Sequence, residues 1–467
     1  MIRQSIVAKM DSQRRMLSAD VMGQMAEKID EEVVRTVQRI AGASAETDWG
    51  EDPIIKLWIA QGKGLPGIRK LGKTAEAAAI ASFLAAARNI PGLKIPGSVM
   101  HSITVYNQRV RANKLQTPGS TAELLKATET WRRPQKRLTQ QIVDEETREL
   151  RSLLDVEDKI KMDAMQERKT GTWMKNIDYG TIFEPGAARR QTFSDDEARY
   201  LIRRGIPGPG PHGTGLVVLA CLWCKKNNDT RMTHVETCCA HIRGGEHHNA
   251  FQEAVIDVVH ELGGFARASG LSIAVPPACA ERVLPCLGCD ECEKLESVRV
   301  DVDFGGLAAG EHFSVDVANK EILRQGARCP KIPGTDRYNV AAPVAREEEV
   351  KRKRYEQLCR EQRGRTFIPV VMSSYGAPGA GMSKMVAIMA ERLERIDGGT
   401  TADTKRRILR CLQARAMREI ARNGLEALKD QRTLIRKERE RRERLRKQTR
   451  GQSNEEAARA FVTETRI

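Results

Sequence analysis

Residues 297–319 read SVRVDVDFGGLAAGEHFSVDVAN, and their alternation decides the fold. Val298, Val300, Val302 and Phe304 fall on one side of an extended chain, with Arg299, Asp301 and Asp303 on the other. After the turn GGLAAGE, Phe313, Val315 and Val317 alternate with Ser314, Asp316 and Ala318. This pattern predicts two half-buried strands joined as an antiparallel hairpin, with Asp301 and Asp316 converging on its polar face. Two carboxylates placed in this way repel unless a cation sits between them. The natural use of such a pair is to bind Mg²⁺, which polarises a phosphodiester and activates a water. Taken alone, the hairpin could equally be a wet sheet face carrying ordinary acids, so the flanking sequence carries the decision.

Upstream, EHHNAFQEAVIDVVHELGGF sets Phe251, Ala254, Val255, Val258, Val259 and Leu262 on one stripe of an amphipathic helix, closed by Gly263-Gly264. His248 and Asn249 fall in its first turn, where exposed groups can meet a phosphate. Downstream come a basic helix, EEEVKRKRYEQLCREQ, and a strand, TFIPVVMSSYG. The order helix–strand–strand–helix–strand, with acids on the hairpin and a lysine nearby, predicts an α+β protein with the restriction-endonuclease-like PD-(D/E)XK layout. GAPGAGMSK (376–384) lacks the G-K-[ST] ending of a phosphate-binding loop and reads as a turn after a strand.

Eight of the eleven cysteines lie between Cys221 and Cys292. Cys221, Cys224, His234 and Cys238 form C-x2-C-x9-H-x3-C, in which a tight knuckle and two residues one helical turn apart complete a tetrahedron around structural Zn²⁺. Cys239 can replace Cys238, and His241 is a further candidate. Cys279, Cys286, Cys289 and Cys292 offer either a second metal site or a cysteine-rich loop.

Composition sets the partner class. The chain has 467 residues, with 78 Lys+Arg against 62 Asp+Glu and a formal net charge of +16. This balance favours a polyanion, nucleic acid ahead of membrane. No apolar run approaches the ~20 residues that span a bilayer, and the first residues carry no secretory signal pattern. Few disulfides are therefore expected, the cysteines serving as ligands or buried thiols. The run IRKERERRERLRKQTR (435–450) is either a solvated basic helix or a phosphate-contacting arm.

Several of these motifs share an order with a known family. Cys221-Leu-Trp-Cys224, Asp229 to His234, His248-Asn249, Arg299-Val-Asp301, Val315-Asp316-Val317, Lys351 to Tyr355, Phe367-Ile-Pro369 and Gly376 resemble the C-terminal region of non-LTR retrotransposon proteins that carry a restriction-like endonuclease. GKGLPGIRKLGKTAEAAAIASFLAAA also looks like the segment after the polymerase in such elements. The resemblance implies nicking of one DNA strand to leave a 3′-hydroxyl that primes reverse transcription. It implies Asp301 and Asp316 as Mg²⁺ ligands, Lys351 as the cation at the water or phosphate, and His248 and Arg299 as helpers at the phosphate. Ala318 stands where the standard fold has its lysine, so Lys351 is the first candidate, with Lys353 and then Lys320 behind it. No YxDD-type polymerase motif occurs, so the likeness covers a cutting end without a copying end. The alternative is a zinc-dependent nucleic-acid-binding protein with a degenerate nuclease fold. DNA is the expected partner, with element RNA a second, in the nucleus and away from membranes.

The organisation expected is a helical region over 1–110, a helical linker over 111–205, a CCHC zinc finger over 215–245, the nuclease over 246–390 and a basic helical tail over 391–467. The Gly/Pro-rich run RRGIPGPGPHGTG (203–215) supplies the boundary before the finger. Thr74 and Glu76 mark a helix start, Pro91-Gly92 its stop, and residues 100–200 read as long exposed helices.

Overall fold

A computed structural model describes residues 19–40, 71–111, 114–167, 193–206, 246–268, 300–307, 311–320, 322–323, 329–363, 365–397 and 401–464. It is a mixed α+β fold, mostly helical, built around one four-stranded mixed sheet.

The sheet and its covering helices follow from residue 246. Helix α8 (Glu246–Glu261) leads into β1 (Phe265–Ala268), β2 (Val302–Gly305) and β3 (His312–Lys320). Then come α9 (Ala341–Arg363), β4 (Thr366–Ser373), α10 (Ala380–Asp397) and the long α11 (Thr401–Glu464). Strand order is β1-β2-β3-β4, antiparallel up to β3 and parallel between β3 and β4. The hairpin register pairs Val302 with Val315 and Phe304 with Phe313. In the parallel pair Asp316 lies beside Pro369.

Alternation places Val302, Phe304, Phe313, Val315 and Val317 in the main core with Ile368, Val370 and Met372 of β4. The same core takes the α8 stripe Phe251, Ala254, Val255, Val258, Val259 and Leu262, together with α10 and the first part of α11. Each fully buried Val or Leu side chain contributes about 1.5–3 kcal/mol, so this cluster fixes the sheet's faces. On the other face α9 packs Tyr355 and Cys359 against Phe367 and Val300.

Two expectations need correction here. Strand β2 does not carry the predicted alternation back through Val300; Val298 and Arg299 lie outside the described residues. The strand begins at Val302, and Val300 packs on the α9 face, opposite Val302. The chain bends at Asp301, whose amide donates to the Val315 carbonyl at 2.9 Å. Strand β1 is the second: the sequence pattern predicts three strands, and FARA, only four residues long and without alternation, adds a fourth.

The earlier helices are α1 (Ala19–Ile40), α2 (Leu71–Asn89), α3 (Gly97–Arg109), α4 (Thr121–Ala127), α5 (Pro134–Leu153), α6 (Val156–Gln166) and α7 (Asp195–Gly205). They are less exposed than the charge alternation of residues 100–200 suggests. Helix α5 buries Leu138 and Ile142 in a core with Ile80, Leu84, Ile103 and Tyr106 of α2 and α3. Arg151 of α5 forms a buried two-pronged pair with Asp163 of α6, at 2.7 and 3.2 Å. Asp163 also accepts from the Tyr338 amide at 2.7 Å, tying the segment before α9 to these helices. Ser194 caps α7 in a reciprocal capping box with Glu197. Arg204, near the end of α7, donates to the Ser374 carbonyl at 2.8 Å, just past β4.

Candidate active site

The described site is built where β2, β3 and α9 meet. Continued one step beyond Val302–Val315, the hairpin register sets Asp301 against Asp316. Their carboxyls are near enough for Asp301 to raise the Asp316 carboxyl. Asp301 also accepts from the Val317 amide through Oδ2 at 2.6 Å. Lys351, on the face of α9 that meets β3, donates from Nζ to Asp316 Oδ2 at 2.7 Å. Asp301, Asp316 and Lys351 are thus brought together in one contiguous group.

Burial is the largest force on Asp316. It pushes the Asp316 carboxyl up to about 7, the neighbouring Asp301 adds to the rise, and Lys351 opposes it. Tyr355, one turn beyond Lys351, is raised above the ordinary phenol range, first by burial and then by the charge of Asp316, with Arg354 acting in the opposite sense. It stacks obliquely on Phe367, with ring centroids 5.4 Å apart.

The other lysines go elsewhere. Lys353 is exposed and faces Glu349 at 3.7 Å. Lys320, at the end of β3, pairs with Glu347 at 2.6 Å. Helical phase explains the difference: Lys351 and Lys353 lie about 200° apart around α9, so only one of them can face the sheet. His248 lies in the first turn of α8, and its side chain is outside the described part. Arg299, Cys221, Cys224, His234 and Cys238 lie outside the described residues, as do Cys239, His241, Cys279, Cys286, Cys289 and Cys292. Among the described residues no group of three or more His, Cys, Asp or Glu is placed to hold a metal ion.

Three supporting contacts leave no trace in the sequence pattern. Asp303 is buried, accepts from Ser314 Oγ at 2.7 Å and pairs with Arg365 at 2.5 Å. Alternation puts Asp303 on the polar face, but no local signal links it to an arginine some sixty residues away. Glu348, buried on α9, accepts from the Gly381 and Ala380 amides at 2.8 and 3.2 Å and so caps the N-terminus of α10. Burial raises its carboxyl above the ordinary range, and the two amides oppose that rise. Gln252 of α8 donates to the Asp301 carbonyl at 2.6 Å.

No protein-family model matches this sequence, and no curated protein matches it significantly. Among the described residues no helix is long and apolar enough to cross a membrane.

Proposed function

We propose that residues 246–390 form a metal-dependent DNA endonuclease with a restriction-endonuclease-like core, which nicks target DNA for a non-LTR retroelement. The observation that carries the reading is the contact of Lys351 with Asp316, which lies across the hairpin from Asp301. An isolated surface acid pair has no reason to bury one member, Asp316, and to recruit a lysine from a neighbouring helix. The element order supports the same reading: it is the expected helix–strand–strand–helix–strand series with β1 placed ahead of the hairpin.

The donor set fits Mg²⁺. Two carboxylates this near each other supply hard oxygens. When bound, Mg²⁺ supplies polarisation of the phosphodiester and a more acidic water. The chain's own part is positional and electrostatic. Asp301 and Asp316 fix where the charge sits, and the Val317 amide orients the Asp301 carboxylate. Lys351 holds a cation beside Asp316, where it can meet the negative charge that grows on a phosphate under attack. Because Asp316 gives up its proton near pH 7, cation uptake strengthens as pH rises through that value.

The zinc finger of Cys221, Cys224, His234 and Cys238 would grip the target, and the net charge of +16 suits DNA or element RNA in a nucleus. Plasmid nicking by the parent, Asp301→Ala, Asp316→Ala and Lys351→Met tests the proposal. Mg²⁺-dependent open circles from the parent, reduced at least 100-fold in either aspartate variant, are expected on the scale of lost transition-state charge stabilisation. Equal nicking by parent and aspartate variants would place the chemistry elsewhere. DNA binding without cleavage in any of the four would leave a nucleic-acid-binding protein on a degenerate nuclease fold.

A further inference from the structure

We infer that Gln252 is a positioning residue for Asp301, holding its peptide so that the carboxylate stays beside Asp316; the inference rests on the reading of Asp301 and Asp316 as a cation site. The bend at Asp301 is the starting point. Up to Val302 the β2–β3 ladder is regular, and at Asp301 it stops. Three groups of Asp301 then find partners in three directions. Its amide donates to the Val315 carbonyl at 2.9 Å, and its carboxylate takes the Val317 amide at 2.6 Å. Its carbonyl, turned toward α8, takes the Gln252 side-chain amide at 2.6 Å.

The arrangement accounts for backbone groups that the broken ladder would otherwise leave without partners. It also has a directional consequence. A carboxylate that replaces a ladder carbonyl in front of Val317 is held on the β3 side, which is the side of Asp316. Rotation of the Asp301 peptide would swing that carboxylate away. Both β3 contacts lie on one side of Asp301, and neither resists a tilt of its carbonyl. Gln252 does so from the opposite element, because α8 is fixed by its buried stripe Phe251, Val255, Val258 and Val259. Position 252 is half-buried, one turn after His248, so the early part of α8 abuts the acid pair through a residue no catalytic motif includes. A glutamine suits this position because it reaches from the helix and donates a neutral hydrogen bond, adding no charge to a site that holds two acids and a lysine.

The test uses the full chain and two readouts. Gln252→Met keeps length and shape but has no donor, and Gln252→Glu keeps shape and adds a negative charge. Mn²⁺ alone is the probe, titrated by calorimetry and electron paramagnetic resonance against the parent and Asp316→Ala, whose difference defines binding at the acid pair. Loss of a partner that orients a ligand from outside the coordination shell weakens metal binding about tenfold or more, and Gln252→Met should do so with circular dichroism unchanged. The second readout needs no metal: the Val317 amide, held by the Asp301 carboxylate, should exchange its hydrogen faster in Gln252→Met, while Val315 and Val370 exchange as in the parent. Unchanged Val317 exchange and unchanged Mn²⁺ affinity would overturn the positioning role. A parent that binds Mn²⁺ no better than Asp316→Ala would instead overturn the cation-site reading, and the inference would fall with it.

Discussion

Replacing Lys351 with methionine should destabilise the sheet strongly at pH 8 and weakly at pH 5. The pair it breaks is mostly out of water, with side-chain exposures of 13% for Lys351 and 8% for Asp316 and a separation of 2.7 Å. Removing one member leaves a carboxyl that at pH 8 must stay charged or take up a proton, which costs about 1.4 kcal/mol for a group titrating near 7, on top of the lost contact. The charge exists only when Asp316 is ionised. Its carboxyl already titrates near 7, and without the lysine it titrates higher still, because burial and Asp301 are then unopposed. At pH 5 Asp316 is protonated in both proteins, and the substitution removes one neutral-acceptor contact, about 1 kcal/mol or less. The penalty therefore grows as pH rises through 7. Native-state hydrogen exchange of the Val317 amide, and of the Asp301 amide that donates to the Val315 carbonyl, reads this locally in a chain with several cores. At pH 8, after correction for intrinsic rates, exchange through opening of the sheet should be on the order of 100-fold faster in Lys351→Met. At pH 5 the difference should be under about tenfold. An equal loss at both pH values would show that Lys351 acts through packing of its alkyl stem, and that Asp316 is not its charge partner.

Three further outcomes follow from the same contacts. The raised Asp316 carboxyl means the folded chain holds a proton the unfolded chain has lost, so stability in metal-free buffer should fall as pH rises from about 4 to about 7, by at most about 4 kcal/mol; Asp316→Asn should remove that slope in urea titrations followed by exchange of β3. Gly381→Ala would drive a Cβ into the Pro369 carbonyl, beside the strand position paired with Asp316, so a thermal midpoint several degrees lower is expected, and an unchanged midpoint would show that α10 can shift freely. Arg151→Ala should cost about 3 kcal/mol or less, because Arg337 at 3.5 Å and the Tyr338 amide still hold Asp163, measured as faster exchange of the α5 and α6 amides.

Much of the sheet was legible because burial on alternate residues writes itself into sequence. Phe313, Val315 and Val317 sit in the main core, and so does every apolar residue of the α8 stripe. What was not legible depends on partners distant in the chain. The bend at Asp301 leaves no mark in SVRVDVDF, because Val300 is equally apolar on either face and only Tyr355, Cys359 and Phe367 decide which one buries it. The choice between Lys351 and Lys353 needed the rotational phase of α9, which its many charged residues obscure. Strand β1 carries Phe265, which is largely exposed, so no hydrophobic alternation announced it. Arg365 with Asp303, Glu348 with the start of α10, and Gln252 with Asp301 are all meetings made by topology alone.

The central claim is that the Asp301–Asp316–Lys351 group cuts DNA with a divalent cation. Its most direct test is incubation of the purified chain with supercoiled plasmid in Mg²⁺ or in EDTA, followed by polymerase extension at the nick. The account predicts open circles only with Mg²⁺, ends that a polymerase extends directly from a 3′-hydroxyl, and neither product from Asp316→Ala. Open circles that form equally in EDTA, or that persist in Asp316→Ala, would contradict it.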